Sequence, residues 1–236
     1  MFAFAHVWPW ISLGAAGLLF FLLTTNALRS DRAVSRWRDI VWLTWAGVLA
    51  CLLHQFEEHG IDADGKAYAF RAFMCAEIGL PDPRTCPVPL SFITALNVAT
   101  VWIAGPLSAL LATRWPVIGL SFFAIPVAGL FAHLMPAAVL RSYNPGLATA
   151  LGLFLPLFLI VFSAAITRYH LGVRAILATL LAGAMLHAVF RGSLLAFVNG
   201  QLDLDVLLPL LIASPLLSSL TVAVLSGRRS FRLFAT

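Results

Sequence analysis

The chain has 236 residues, of which 61% are hydrophobic and only 11% charged. Soluble domains carry about 25% charged residues, so this composition excludes a soluble globular protein and points to an all-α polytopic membrane protein. At about 20 residues per crossing, the length holds seven transmembrane helices with short connections, and residues 1–236 are expected to form a single integral membrane domain. The net charge of +5 comes mainly from arginines at the ends of apolar runs, which read as topology determinants, and no nucleic-acid partner is expected.

The first apolar run covers about 7–28. No Lys or Arg precedes it, so a permanent span is expected in place of a cleaved leader, with His6 and Trp8 as interfacial residues. The second run covers 40–58 and ends in His54, Glu57 and Glu58. Their i, i+3, i+4 spacing puts all three on one side of a helix within a single turn. Carboxylates and imidazole crowded at membrane depth are costly unless paired, protonated or bound to a metal. His59, next in sequence, reads as a solvated loop residue.

A long loop follows, 59–90, carrying Cys75 and Cys86, which suit a disulfide if the loop lies in an oxidising compartment. The third run, 92–113, has Asn97 near its start. The fourth, 116–140, contains His133 in an otherwise apolar stretch. Between the fourth run and the fifth, 145–166, lies Arg141-Ser142-Tyr143-Asn144-Pro145-Gly146, a tight turn with Pro145 suited to a first helical position. The sixth run, 171–198, carries His187 and, one turn later, Arg191; the seventh covers 206–225. Pro106, Pro126, Pro156, Pro209 and Pro215 fall inside spans, where proline kinks a helix and frees a carbonyl. Cys51 reads as a small packing residue.

With the N-terminus outside and the C-terminus cytoplasmic, Arg29, Arg32, Arg36, Arg38, Arg114, Arg168, Arg174, Arg228, Arg229 and Arg232 lie inside, against Lys66, Arg71, Arg84, Arg141 and Arg191 outside. The positive-inside rule favours that orientation, and the basic tail then meets anionic headgroups. In this frame His54, Glu57, Glu58, Asn97, His133, His187 and Arg191 all fall in the outer parts of their spans.

Two or three imidazoles with one or two carboxylates suit a divalent metal: zinc with three protein ligands and a water, or one or two iron ions. The candidate ligands are His54, Glu57, Glu58, His133 and His187. Glu57 and Glu58 point about 100° apart on a helix, so Glu57 is a ligand or a general base. Arg191 either snorkels to headgroups, pairs with Glu57 or Glu58, or binds an anionic substrate group. Asn97 orients a ligand or bonds helix to helix. Tyr143 is a headgroup anchor or a proton donor.

The ordered set His54-x-x-Glu57-Glu58, Asn97, His133, Tyr143-x-Pro145-Gly146 and His187 resembles the HXXEE-motif family of uncharacterised bacterial membrane proteins. The resemblance spans the second to the sixth run and supplies candidate positions but no reaction. The expectation is a multi-pass protein of the bacterial inner membrane. Its site would open to the outer leaflet, hydrolyse a lipid or other amphiphilic small molecule with a metal ion, and sit among membrane lipids, with a homodimer left open. Iron-dependent oxidation of a hydrophobic substrate and proton- or metal-coupled transport are the alternatives.

Overall fold

The computed structural model describes residues 2–80, 82 and 84–227; the basic tail with Arg228, Arg229 and Arg232 lies outside them. Among the described residues there is no strand, only an isolated bridge between Ile61 and Ala67. The helices are α1 (Phe2–Thr24), α2 (Ile40–His59), α3 (Ala69–Glu77), α4 (Leu90–Ala112), α5 (Pro116–Leu140), α6 (Leu147–Thr167), α7 (Gly172–Val198) and α8 (Leu204–Ser226). All but α3 are long and apolar enough to cross a membrane. Phe20, Phe21, Val139, Leu159, Leu216 and Val224 stand exposed around the bundle, which is the surface that lipid, not water, accommodates. The protein is a multi-pass membrane protein.

Helix α2 is the most buried of the seven and packs against α1, α4, α5 and α6, while α7 lies between α5 and α8. Its start is fixed by Asp39, whose carboxylate accepts hydrogen bonds from the backbone N–H groups of Val41 (3.0 Å) and Trp42 (3.4 Å), as an N-cap does. The same fully buried carboxylate also accepts from Ser30 N and Oγ, both at 2.7 Å, and from Asp31 N at 3.1 Å.

Three of the internal prolines sit just past a departure from regular α-geometry. A π-turn at Val98–Ile103 precedes Pro106, another at Ala150–Phe154 precedes Pro156, and α5 breaks at Phe123 ahead of Pro126. Proline lacks the N–H that would close the turn behind it, so the backbone widens or breaks there.

The loop between α2 and α4 is ordered by covalent and polar ties. Cys75 and Cys86 form a disulfide. Arg71 donates from Nε to the Val88 carbonyl at 2.9 Å and from Nη2 to that of Cys86 at 2.7 Å. Arg191 of α7 pairs with Glu77 of α3 at 2.8 Å. Helix α3, which the sequence pattern does not announce, is thereby held over one end of the bundle.

Candidate metal centre

The last turns of α2 meet α5 and the start of α6 beneath α3. Glu58 is 7% exposed, and among the described residues the ion-pair partners of its carboxylate are all imidazoles. Its Oε1 lies 3.2 Å from His133 Nε2 and 3.6 Å from His54 Nε2; its Oε2 lies 3.3 Å from His59 Nε2. The ligand atoms of His54, Glu58 and His133 are within 4.8 Å of one another.

The rings of His54 and His133 are held from behind. Asn144 donates from Nδ2 to the His133 carbonyl at 3.0 Å, which turns its Oδ1 to His133 Nδ1 at 2.8 Å and makes that nitrogen an N–H donor. Thr149 donates its hydroxyl proton to Glu57 Oε2 at 2.5 Å, so its oxygen accepts from His54 Nδ1 at 2.7 Å. With Nδ1 of each ring carrying its proton, a neutral ring presents an Nε2 lone pair to Glu58 and a charged one an N–H. Lone pairs converging on a buried carboxylate repel unless a cation lies among them. The chemistry of the donor set fits an ion, and two of its spacings do so as well: two atoms ~2.0–2.1 Å from a tetrahedral ion sit ~3.3 Å apart, close to the 3.2 and 3.6 Å between Glu58 and the two rings. This buried group can hold a metal ion, with two nitrogens and one oxygen.

Glu57 has a different task from its neighbour. Its carboxylate accepts from Tyr143 Oη (2.8 Å), Ala148 N (3.0 Å), Thr149 N (2.8 Å) and Thr149 Oγ1. It thus lies across the N-terminus of α6, satisfying N–H groups that have no partner within that helix. Burial, with the Glu57 carboxylate beside it, holds the Tyr143 phenol above its usual range, so it stays a donor. The Tyr-x-Pro-Gly turn serves the site directly. Gly146 has φ +99°, and a Cβ there would lie 2.5 Å from His133 Cε1 and 2.9 Å from His54 Cε1, so only glycine lets the backbone pass across both rings.

A cavity of about 120 Å³ opens beside the group, with mostly apolar walls from α2, α4, α5, α6 and α7. His187 lines it, half-buried, without joining the trio. Asn97 lines it too, and its position is set by a buried chain of amides. Gln55 Oε1 accepts from Ser12 Oγ (3.0 Å) and Trp102 Nε1 (3.1 Å), and Gln55 Nε2 donates to Asn97 Oδ1 at 3.0 Å. That leaves Asn97 Nδ2 facing Ile93 O at 2.9 Å and His59 Nε2 at 3.3 Å.

The structure thus gathers His54, Glu58 and His133, sets Glu57, Asn97 and Tyr143 around them, and keeps Arg191 on Glu77. Two sequence readings are corrected. His59 is not solvated: α2 runs one residue further, to His59, with Gly60 as its C-cap, and Trp8 and Phe70 cover the His59 ring at 5.1 and 5.2 Å. Trp8, read as interfacial, is 1% exposed for the same reason. Asn144, Thr149 and His59 were missed as site residues. Gly60 as a helix stop was the available signal for His59; nothing in local spacing marks the other two.

Residues 45–162 of the chain match the family described as "protein of unknown function with HXXEE motif". No curated protein and no solved structure matches it.

Proposed function

The chain belongs to the HXXEE-motif family, whose function is unknown, so the reading must come from the site, and we propose a membrane-embedded metalloenzyme that hydrolyses an amphiphilic substrate. The carrying observation is Glu58, a buried carboxylate whose ion-pair partners are imidazoles with their Nε2 atoms turned inward. Two imidazoles and one carboxylate are a zinc-type set with a position left for water. Such an ion supplies Lewis acidity and an acidified water at neutral pH.

His54, Glu58 and His133 hold the ion, and Thr149, Glu57 and Asn144 keep the two rings in register. His187, which lines the same cavity, would accept a proton from the attacking water or return it to the leaving group. The apolar walls receive the hydrocarbon part of the substrate and keep bulk water out. The Arg191–Glu77 pair holds α3 over the site, and Tyr143 reaches the chemistry only through Glu57.

Glu57 is committed to the α6 terminus, which leaves one carboxylate for metal and favours a single ion over a di-iron oxidase. The spans carry their buried ionisable groups at the α3 end, and the rest of the interior is apolar apart from Asp39 and scattered hydroxyls, which disfavours a transport path. The Cys75–Cys86 bond supports an oxidising side for α3, hence an N-terminus outside and a site facing the outer leaflet of a bacterial inner membrane. The test is a panel of acyl- and phosphoester amphiphiles in nanodiscs prepared in ¹⁸O-water. Hydrolysis puts one water-derived ¹⁸O into the product without consuming O₂; O₂-dependent turnover would replace this reading with oxidation.

A further inference from the structure

A second cavity, of about 210 Å³, lies between the start of α1, α3 and the start of α4. Its polar lining comes from His6, His59, Tyr68, Arg71 and Thr94, with Trp8 beside them, and no acidic residue among the described ones lines it. Tyr68 already donates to the His6 carbonyl, and Arg71 to the Val88 and Cys86 carbonyls, but the guanidinium remains a permanent positive charge in the lining, suited to phosphate and carboxylate. The Thr94 hydroxyl oxygen is buried with no hydrogen-bond partner, which is costly in a finished interior.

His59 lines both cavities. On one side lies a chamber with a guanidinium in its lining and on the other an apolar one. The shared wall is the Ile93 side chain and the His59 imidazole, the latter 3.3 Å from Glu58. An amphiphile with an oxyanionic head and an apolar tail has that same division of chemistry, and its junction would fall beside the metal-binding trio. Resting on the hydrolytic reading above, we infer that the second cavity takes the phosphate or carboxylate head of the substrate while the tail occupies the first.

The experiment compares dodecyl phosphate, dodecyltrimethylammonium and inorganic phosphate for binding to metal-loaded protein in phosphatidylcholine nanodiscs. Dodecyl phosphate should bind at least ~10-fold more tightly than either of the others. Ala72→Phe, which fills the second cavity, should remove that advantage with metal content unchanged; Thr94→Val, a milder change, should weaken it should Ala72→Phe fail to fold. The metal-free Glu58→Gln protein separates this claim from the reaction. Dodecyl phosphate that still binds Glu58→Gln and is lost in Ala72→Phe supports the head site whatever the chemistry. Binding that disappears with the metal and ignores both cavity variants puts the anion on the ion and overturns the assignment. Equal binding of the alkyl phosphate and the alkylammonium overturns the charge preference, and inorganic phosphate binding as tightly as dodecyl phosphate overturns the claim that the tail is held as well.

Discussion

The two ends of α2 each bury a carboxylate, and they resolve its charge in opposite ways. At the N-terminus, Asp39 is 0% exposed and surrounded by N–H and O–H donors from its own helix and from the preceding loop. Near the C-terminus, Glu58 is 7% exposed, and its ion-pair partners among the described residues are all imidazoles. A buried anion satisfied by fixed donors belongs to the fold, because the chain itself supplies the compensation. One surrounded by imidazole nitrogens needs a positive charge among them, a proton on a ring or a metal ion in its place. Glu57 repeats the lesson one residue away: its donors make it part of the α6 terminus, although in sequence it is indistinguishable from Glu58.

Substitutions can break this contrast or sharpen it. The largest effect is expected at Glu58. Glu58→Gln should abolish metal binding, yet leave the metal-free protein at least as thermally stable as metal-free wild type, since a buried charge without fixed donors has been removed. Metal analysis and melting in the same detergent check both halves. Asp39→Ala should do the reverse, costing about 2–4 kcal/mol of stability by orphaning the start of α2 while the folded fraction keeps its metal. If Asp39→Ala lost metal with its fold intact, the contrast between the two ends would fail.

Gly146→Ala should both destabilise and weaken metal binding, because a Cβ at φ +99° would press on His133 and His54; a variant that binds metal as wild type does would show that the turn yields. Thr149→Val leaves His54 Nδ1 without its acceptor and should cost about 10–100-fold in metal affinity, read by competition with a chelator. The smallest effect belongs to Arg191→Ala, about 0.5 kcal/mol or less for a half-exposed pair, with metal affinity unchanged.

Much of this was legible before any coordinates. Seven spans follow from apolar run length, and the alignment of His54 with Glu58 follows from helical spacing, because both depend on local periodicity. The level of His133 follows from counting residues back from the end of α5. What periodicity cannot supply is which neighbour each side chain faces. Glu57 and Glu58 look alike along α2; the difference between them lies in the Tyr143–Thr149 segment, some 90 residues on. Arg191 finds Glu77 because α3 is folded over the bundle by the Cys75–Cys86 bond and by Arg71. Asn144 and Thr149 become visible only once α5 and α6 bring their turn against α2.

The most direct test is the metal content of the purified protein after exposure to a weak chelator, measured for wild type, Glu58→Gln, His133→Ala and Asp39→Asn. One divalent ion per chain in wild type and Asp39→Asn, and none in Glu58→Gln or His133→Ala, is the predicted result. A wild-type protein that takes up no ion when offered zinc or iron, or one whose ion survives loss of Glu58 and of His133, would contradict it.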